Sequence, residues 1–166
     1  MNIIAICVAA FVPMLVGFVY YNPKVMGTQW MKASGLTYDH LKQGNMLKIF
    51  GIVAVFSFLL STVFTFAVVH QAHLESIVAN ELADKTSAAG LEAKAVIDNV
   101  MAKYGHNFRT FKHGAFHGIL YALFFAMPVL GINALFERRT LKYIFIHVLY
   151  WAITFAIMGG IISVWE

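Results

Sequence analysis

Residues 47–69 read LKIFGIVAVFSFLLSTVFTFAVV, and after Lys48 no charged side chain interrupts the run. A helix needs about 20 such residues to cross a hydrocarbon layer about 30 Å thick. Three further runs of this kind flank it, at residues 2–21, at 111–136, entered through Arg109, Lys112 and His113, and at 143–165. The whole chain agrees with this. Of its 166 residues 60% are apolar, 15% aromatic and 12% charged, more apolar surface than a soluble domain of that length can hide. A membrane barrel would show alternating segments of about 10 residues, and none is present. The expected fold is therefore all-α: an integral membrane four-helix bundle. The single Cys7 excludes an intramolecular disulfide, a CxxC redox pair and a thiolate zinc site. The first run lacks a charged n-region and a small-residue cleavage site, so it is expected to be a retained span and not a signal peptide.

Between Glu137 and Lys142 there is room only for a tight turn, so spans three and four form an antiparallel hairpin. After Asn22-Pro23 breaks the first span, Trp30 and Met31 offer interfacial anchors, and Thr37 caps a short helix through Leu41 towards Met46. Residues 1–166 make a single four-span membrane domain, with 71–110 as an external helical insertion. Within it Ile97, Val100, Met101 and Tyr104 fall at helical spacing, and Gly105 follows at the C-cap position. Ala88-Ala89-Gly90 divides the insertion into two helices, the first continuing span two through His73 and Leu82. Lys24, Lys32, Lys42 and Lys48 lie in the first connection and Arg138, Arg139 and Lys142 in the third, while neither terminus carries Lys or Arg. That bias places both connections inside and the N- and C-termini outside. The formal charge of +4 suits membrane edges and anionic headgroups, so the expected partner is the lipid bilayer and not nucleic acid.

Gly17-Phe18-Val19-Tyr20-Tyr21-Asn22-Pro23, followed by Gly27 and Trp30, ends the first span. Phe136-Glu137-Arg138-Arg139 closes the third, and Tyr150 with Met158-Gly159-Gly160 lies along the fourth. Together these motifs resemble an uncharacterised bacterial membrane family, domain of unknown function 1761. Two departures stand out: the family's aromatic pair is Trp-Tyr where this chain has Tyr20-Tyr21, and the 71–110 connection is longer than typical. The resemblance implies a small four-span protein of the bacterial cytoplasmic (inner) membrane. It supplies no reaction, substrate or catalytic residue.

No span carries Asp, Glu, Lys or Arg in its middle, which argues against an ion-coupled pump. Ser57, Ser61 and Thr65 recur at every fourth position of span two, with Thr62 beside them. The stripe either packs helices or lines a polar path, and packing is the ordinary role of such residues. Gly114 and Gly118, joined in span four by Ala156 and Gly160, form the small-xxx-small pattern of a close helix crossing. Leu at either third-span glycine should separate the helices, and Ala should be far milder. Pro13 and Pro128 should kink their spans, leaving a carbonyl that Ser, Thr, Asn133 or a neighbouring helix must satisfy. His147, with Trp151 and Thr154 on its face, is expected to bond an adjacent helix.

The histidines at the other membrane edge carry the sharpest chemistry. His70 and His73 are three apart at the end of span two, His113 and His117 are four apart entering span three, and His106 precedes them. Either spacing puts two rings on one helical face, so adjacent antiparallel helices can converge on zinc or another transition metal. His117, His113 and His70 are the first choices, with Glu75 as an oxygen donor. Lys112 and Arg109 oppose a cation there, and amphipathic rings also populate membrane interfaces without any ligand. Haem held by one His from each helix is a further option, though no covalent attachment motif is present. The activity stays unassigned, with no catalytic residue. The expected role is a binding, assembly or accessory component acting as a homo-oligomer or within a larger membrane complex. An oligomeric small-molecule transporter or channel and a His-ligated metal-dependent membrane protein are the alternatives.

Overall fold

The computed structural model describes residues 2–165. Four of its helices are long and apolar enough to cross a membrane: Ile3–Tyr20, Met46–Val68, Phe111–Phe136 and Leu141–Val164. At a rise of 1.5 Å per residue, the 23 residues of the second span reach about 35 Å. Asn45 starts that helix by accepting the Lys48 N–H at 3.0 Å, and Thr140 starts the fourth span by accepting the Tyr143 N–H at 3.2 Å.

The fourth span is the axis of the bundle. It is 50% buried, whereas the second and third are 22% and 17% buried. Met158, Thr154 and Ser163 have no exposed surface. Outward-facing Phe18, Leu47, Phe56 and Phe124 are exposed, as expected of side chains solvated by lipid.

Spans three and four meet backbone to backbone. A Cβ on Gly114 would lie 2.0 Å from the Gly159 carbonyl oxygen, one on Gly118 2.2 Å from that of Phe155, and one on Gly160 2.4 Å from the Phe111 ring. The expected tolerance of alanine is therefore corrected: a single methyl already collides with main chain, which has no rotamer to relieve it. Ala156 backs the same contact, its amide nitrogen 2.7 Å from where a Gly118 Cβ would sit.

The hydroxyl stripe joins span two to span one. Ser57, Ser61 and Thr65 are buried. Ser61 donates to the Ile6 carbonyl at 2.8 Å and Thr65 to the Ser61 carbonyl at 3.1 Å, while Thr62 bonds Phe58 within its own helix.

Both proline-bearing spans are irregular. The first breaks at Phe11 into Ile3–Ala10 and Val12–Tyr20, with Pro13 second in the new segment. The third widens into a π-turn at Ala122–Ala126 before Pro128, which is second in Met127–Phe136. Proline cannot donate to the ladder, and a widened turn makes room for its ring.

The long connection departs from expectation at its start. Span two ends at Val68 and Val69 is extended, so the helix does not continue through His73 and Leu82. A 3-10 turn, His70–His73, and a short helix, Leu74–Ile77, follow instead. His73 Nε2 lies 2.8 Å from the Phe66 carbonyl, one of the last carbonyls of the span, and so stands in for the missing next turn. Ala88-Ala89-Gly90 is likewise not a break but the first turn of the helix Ala88–Tyr104, capped by Ser87.

Candidate functional site

Polar side chains gather at the two opposite ends of the bundle. At the first, His70 begins the 3-10 turn just after Val69, and His113 and His117 lie on one face of the helix Phe111–Tyr121. Thr110 starts that helix by accepting the His113 N–H at 3.2 Å. The three rings pack at 5.1 Å (His70–His113), 5.1 Å (His70–His117) and 4.6 Å (His113–His117) between centroids. One nitrogen from each lies within 4.8 Å of the others. The Nε2 atoms of His70 and His113 are 3.0 Å apart, so one imidazole donates a proton to the other's lone pair.

Around zinc bound at 2.0–2.1 Å, ligand nitrogens stand about 3.3–3.5 Å apart. Zinc there would require the His70–His113 pair to open slightly and His117 to draw in.

The long connection holds the cluster in place. Gln71 donates its amide to the Asn107 carbonyl at 2.8 Å and to the Tyr104 carbonyl at 3.3 Å. Phe108 adopts a left-handed backbone, φ 63, a conformation costly for a bulky residue. Its ring centroid lies 4.9 Å from His113 and 5.8 Å from His70, and its carbonyl accepts the Ser163 hydroxyl at 3.2 Å. Neither Gln71 nor Phe108 was foreseen; the only signal for Phe108 was its place just before a capping threonine.

Among the described residues, the remaining candidates stand outside this group. His73 faces Phe66. His106 and Glu75 line a separate cavity of about 800 Å³ between the connection and the ends of spans one, two and four.

The second end is a clasp of aromatic rings. Tyr20 donates to the Ile146 carbonyl and Tyr150 to the Pro13 carbonyl, each at 2.8 Å. Tyr21 Oη lies 3.1 Å from His147 Nδ1, which gives His147 the neighbouring-helix partner expected of it. The Tyr21 ring also packs on Trp30 at 5.0 Å and on Tyr150 at 5.1 Å. Trp30 and Met31 thus pack on the clasp, Met31 buried and Trp30 half-buried. The chain makes this turn through a π-helical segment, Pro23–Gly27, in which a Cβ on Gly27 would lie 2.1 Å from the Tyr21 carbonyl oxygen. The spacing of Tyr143, His147 and Tyr150 along one helix was the available signal for this clasp.

Four membrane-length apolar helices, three of them packed around the half-buried fourth, define a multi-pass membrane protein. A family model described as Protein of unknown function (DUF1761) matches residues 4–163, and the chain belongs to that family. No curated protein and no solved structure matches it.

Proposed function

We propose that this protein is a metal-binding accessory component of the bacterial cytoplasmic membrane, holding zinc or another transition metal through His70, His113 and His117. The convergence of three imidazoles from two elements, 43 residues apart across the His70–His113 pair, supports this reading. Neutral imidazole suits zinc, copper and nickel, and three protein ligands leave one position open for water, a small molecule or a partner's side chain. The Arg109 guanidinium is directed to the Trp165 carbonyl, but it and Lys112 keep their positive charge, which binding of a cation has to overcome. Transport along the hydroxyl stripe is not favoured, since Ser61 and Thr65 already donate to main-chain carbonyls. Lipid, and a second copy or a larger membrane complex, would cover the exposed apolar faces.

Protein purified without chelator or metal-affinity resin should carry close to one transition-metal ion per chain by element-specific analysis. His117→Ala should lose most of it. Metal-free wild-type protein that also fails to take up added zinc would overturn the proposal.

The proposed orientation puts the Lys- and Arg-bearing first and third connections inside. In a Cys7→Ala background, Lys32→Cys and Arg139→Cys should resist an impermeant thiol reagent in intact cells while Ser87→Cys reacts. The reverse pattern would invert the topology.

A further inference from the structure

A cleft of about 350 Å³ opens beside the triad, walled by His70, Leu74, Met101, Tyr104 and Phe108. We infer that this cleft is the ligand pocket of the metal site, taking an uncharged small molecule with one lone-pair donor and an apolar body. The inference rests on the metal reading above.

Two residues tie cleft and cluster together. His70 belongs to both, so a molecule seated in the cleft lies against a metal ligand. Phe108 lines the cleft while its ring packs on His70 and His113. Its backbone is fixed by the Ser163 hydroxyl, so the wall shared with the cluster is anchored to the fourth span.

The lining selects against charge. None of the residues lining the cleft is Asp, Glu, Lys or Arg. Of its two amide side chains, Gln71 has its hydrogen-bond donations taken up by the Tyr104 and Asn107 carbonyls, and Asn107 presents a neutral, exposed amide. A charged ligand would find no counter-ion among the lining side chains. An apolar body gains by burial, and its lone pair would occupy the coordination position that three histidines leave open. The volume lies in the range of ordinary ligand pockets, about 300–1,000 Å³. Leu74, Met101 and Tyr104 come from the long connection, so the ligand approaches from that side and not through the bundle.

The test loads the full-length protein, in nanodiscs, with cobalt(II), whose visible absorption reports changes in coordination. Imidazole and 4-phenylimidazole are then titrated as probes: they share the coordinating nitrogen, and only the second has a body to fill the cleft. Phenylimidazole should bind at least about tenfold more tightly than imidazole. Leu74→Trp, which fills the cleft, should bring that ratio close to one.

Cobalt uptake with equal affinity for the two probes would overturn the pocket and leave the metal site standing. A tenfold preference that survives in Leu74→Trp would assign it to partitioning into lipid, and would overturn the pocket equally. Failure to take up cobalt would remove the metal site and the pocket together.

Discussion

At the tyrosine end of the bundle, Tyr20 and Tyr150 each donate to a carbonyl on an opposing span, and Tyr21 meets His147. At the histidine end, His70 and His113 meet one another, with His117 beside them and with only one N–H needed to join the pair. Both ends are rich in rings, and both join segments far apart in sequence. They differ in what is left over. The Tyr20 and Tyr150 hydroxyls are used on main-chain carbonyls, as buried polar groups in a packed structure ordinarily are, and Tyr21 is used on His147 Nδ1, leaving His147 Nε2 as the one buried imidazole nitrogen there without a partner among the described residues. The three imidazoles instead bring one nitrogen each within 4.8 Å of the others, with a single N–H joining His70 to His113, an arrangement a transition-metal ion could take over. Stability should therefore reside at one end and chemistry at the other.

The helix contact next to the histidines should give the largest effect. Gly114 sits one residue beyond His113, and a Cβ there would meet the Gly159 carbonyl oxygen at 2.0 Å. Gly114→Ala should cost at least about 3 kcal/mol, and Gly114→Leu should prevent recovery of folded protein. Thermal unfolding in detergent checks this. A Gly114→Ala variant as stable as wild type would mean that spans three and four do not meet at that glycine.

A smaller loss belongs to the tyrosine end. Tyr150→Phe removes the hydroxyl that bonds the Pro13 carbonyl, a buried interhelical hydrogen bond whose loss costs about 0.5–1.5 kcal/mol. Its metal content should equal that of wild type. His117→Ala should do the opposite, changing metal-free stability by less than about 0.5 kcal/mol while abolishing uptake. Thermal melts paired with metal analysis separate the two ends, and a Tyr150→Phe variant that loses metal would collapse the distinction.

The spans were legible because their length is set by the bilayer and their composition by its solvent. The π-turn at Ala122–Ala126 was not, since Pro128 announces a kink without saying which neighbouring turn will absorb it. The histidines divide in the same way. The four-residue spacing of His113 and His117 works because the helix beneath them is continuous from Phe111. The three-residue spacing of His70 and His73 does not, because the chain leaves helical geometry at Val69 and carries His73 round to the Phe66 carbonyl. Periodicity predicts a shared face only where the helix persists. The tyrosine clasp was legible in part: the spacing of Tyr143, His147 and Tyr150 marks one side of it, but Tyr21 and His147 are 126 residues apart and nothing local to His147 names Tyr21 as its partner.

X-ray absorption at the zinc edge of the loaded, full-length protein tests the central claim most directly. Three imidazole nitrogens at about 2.0–2.1 Å plus one lighter exogenous ligand is the expected first shell, falling to two imidazoles or to loss of bound zinc in His70→Ala. A shell of oxygen ligands, or one unchanged in His70→Ala, would contradict the assignment of this triad as the metal site.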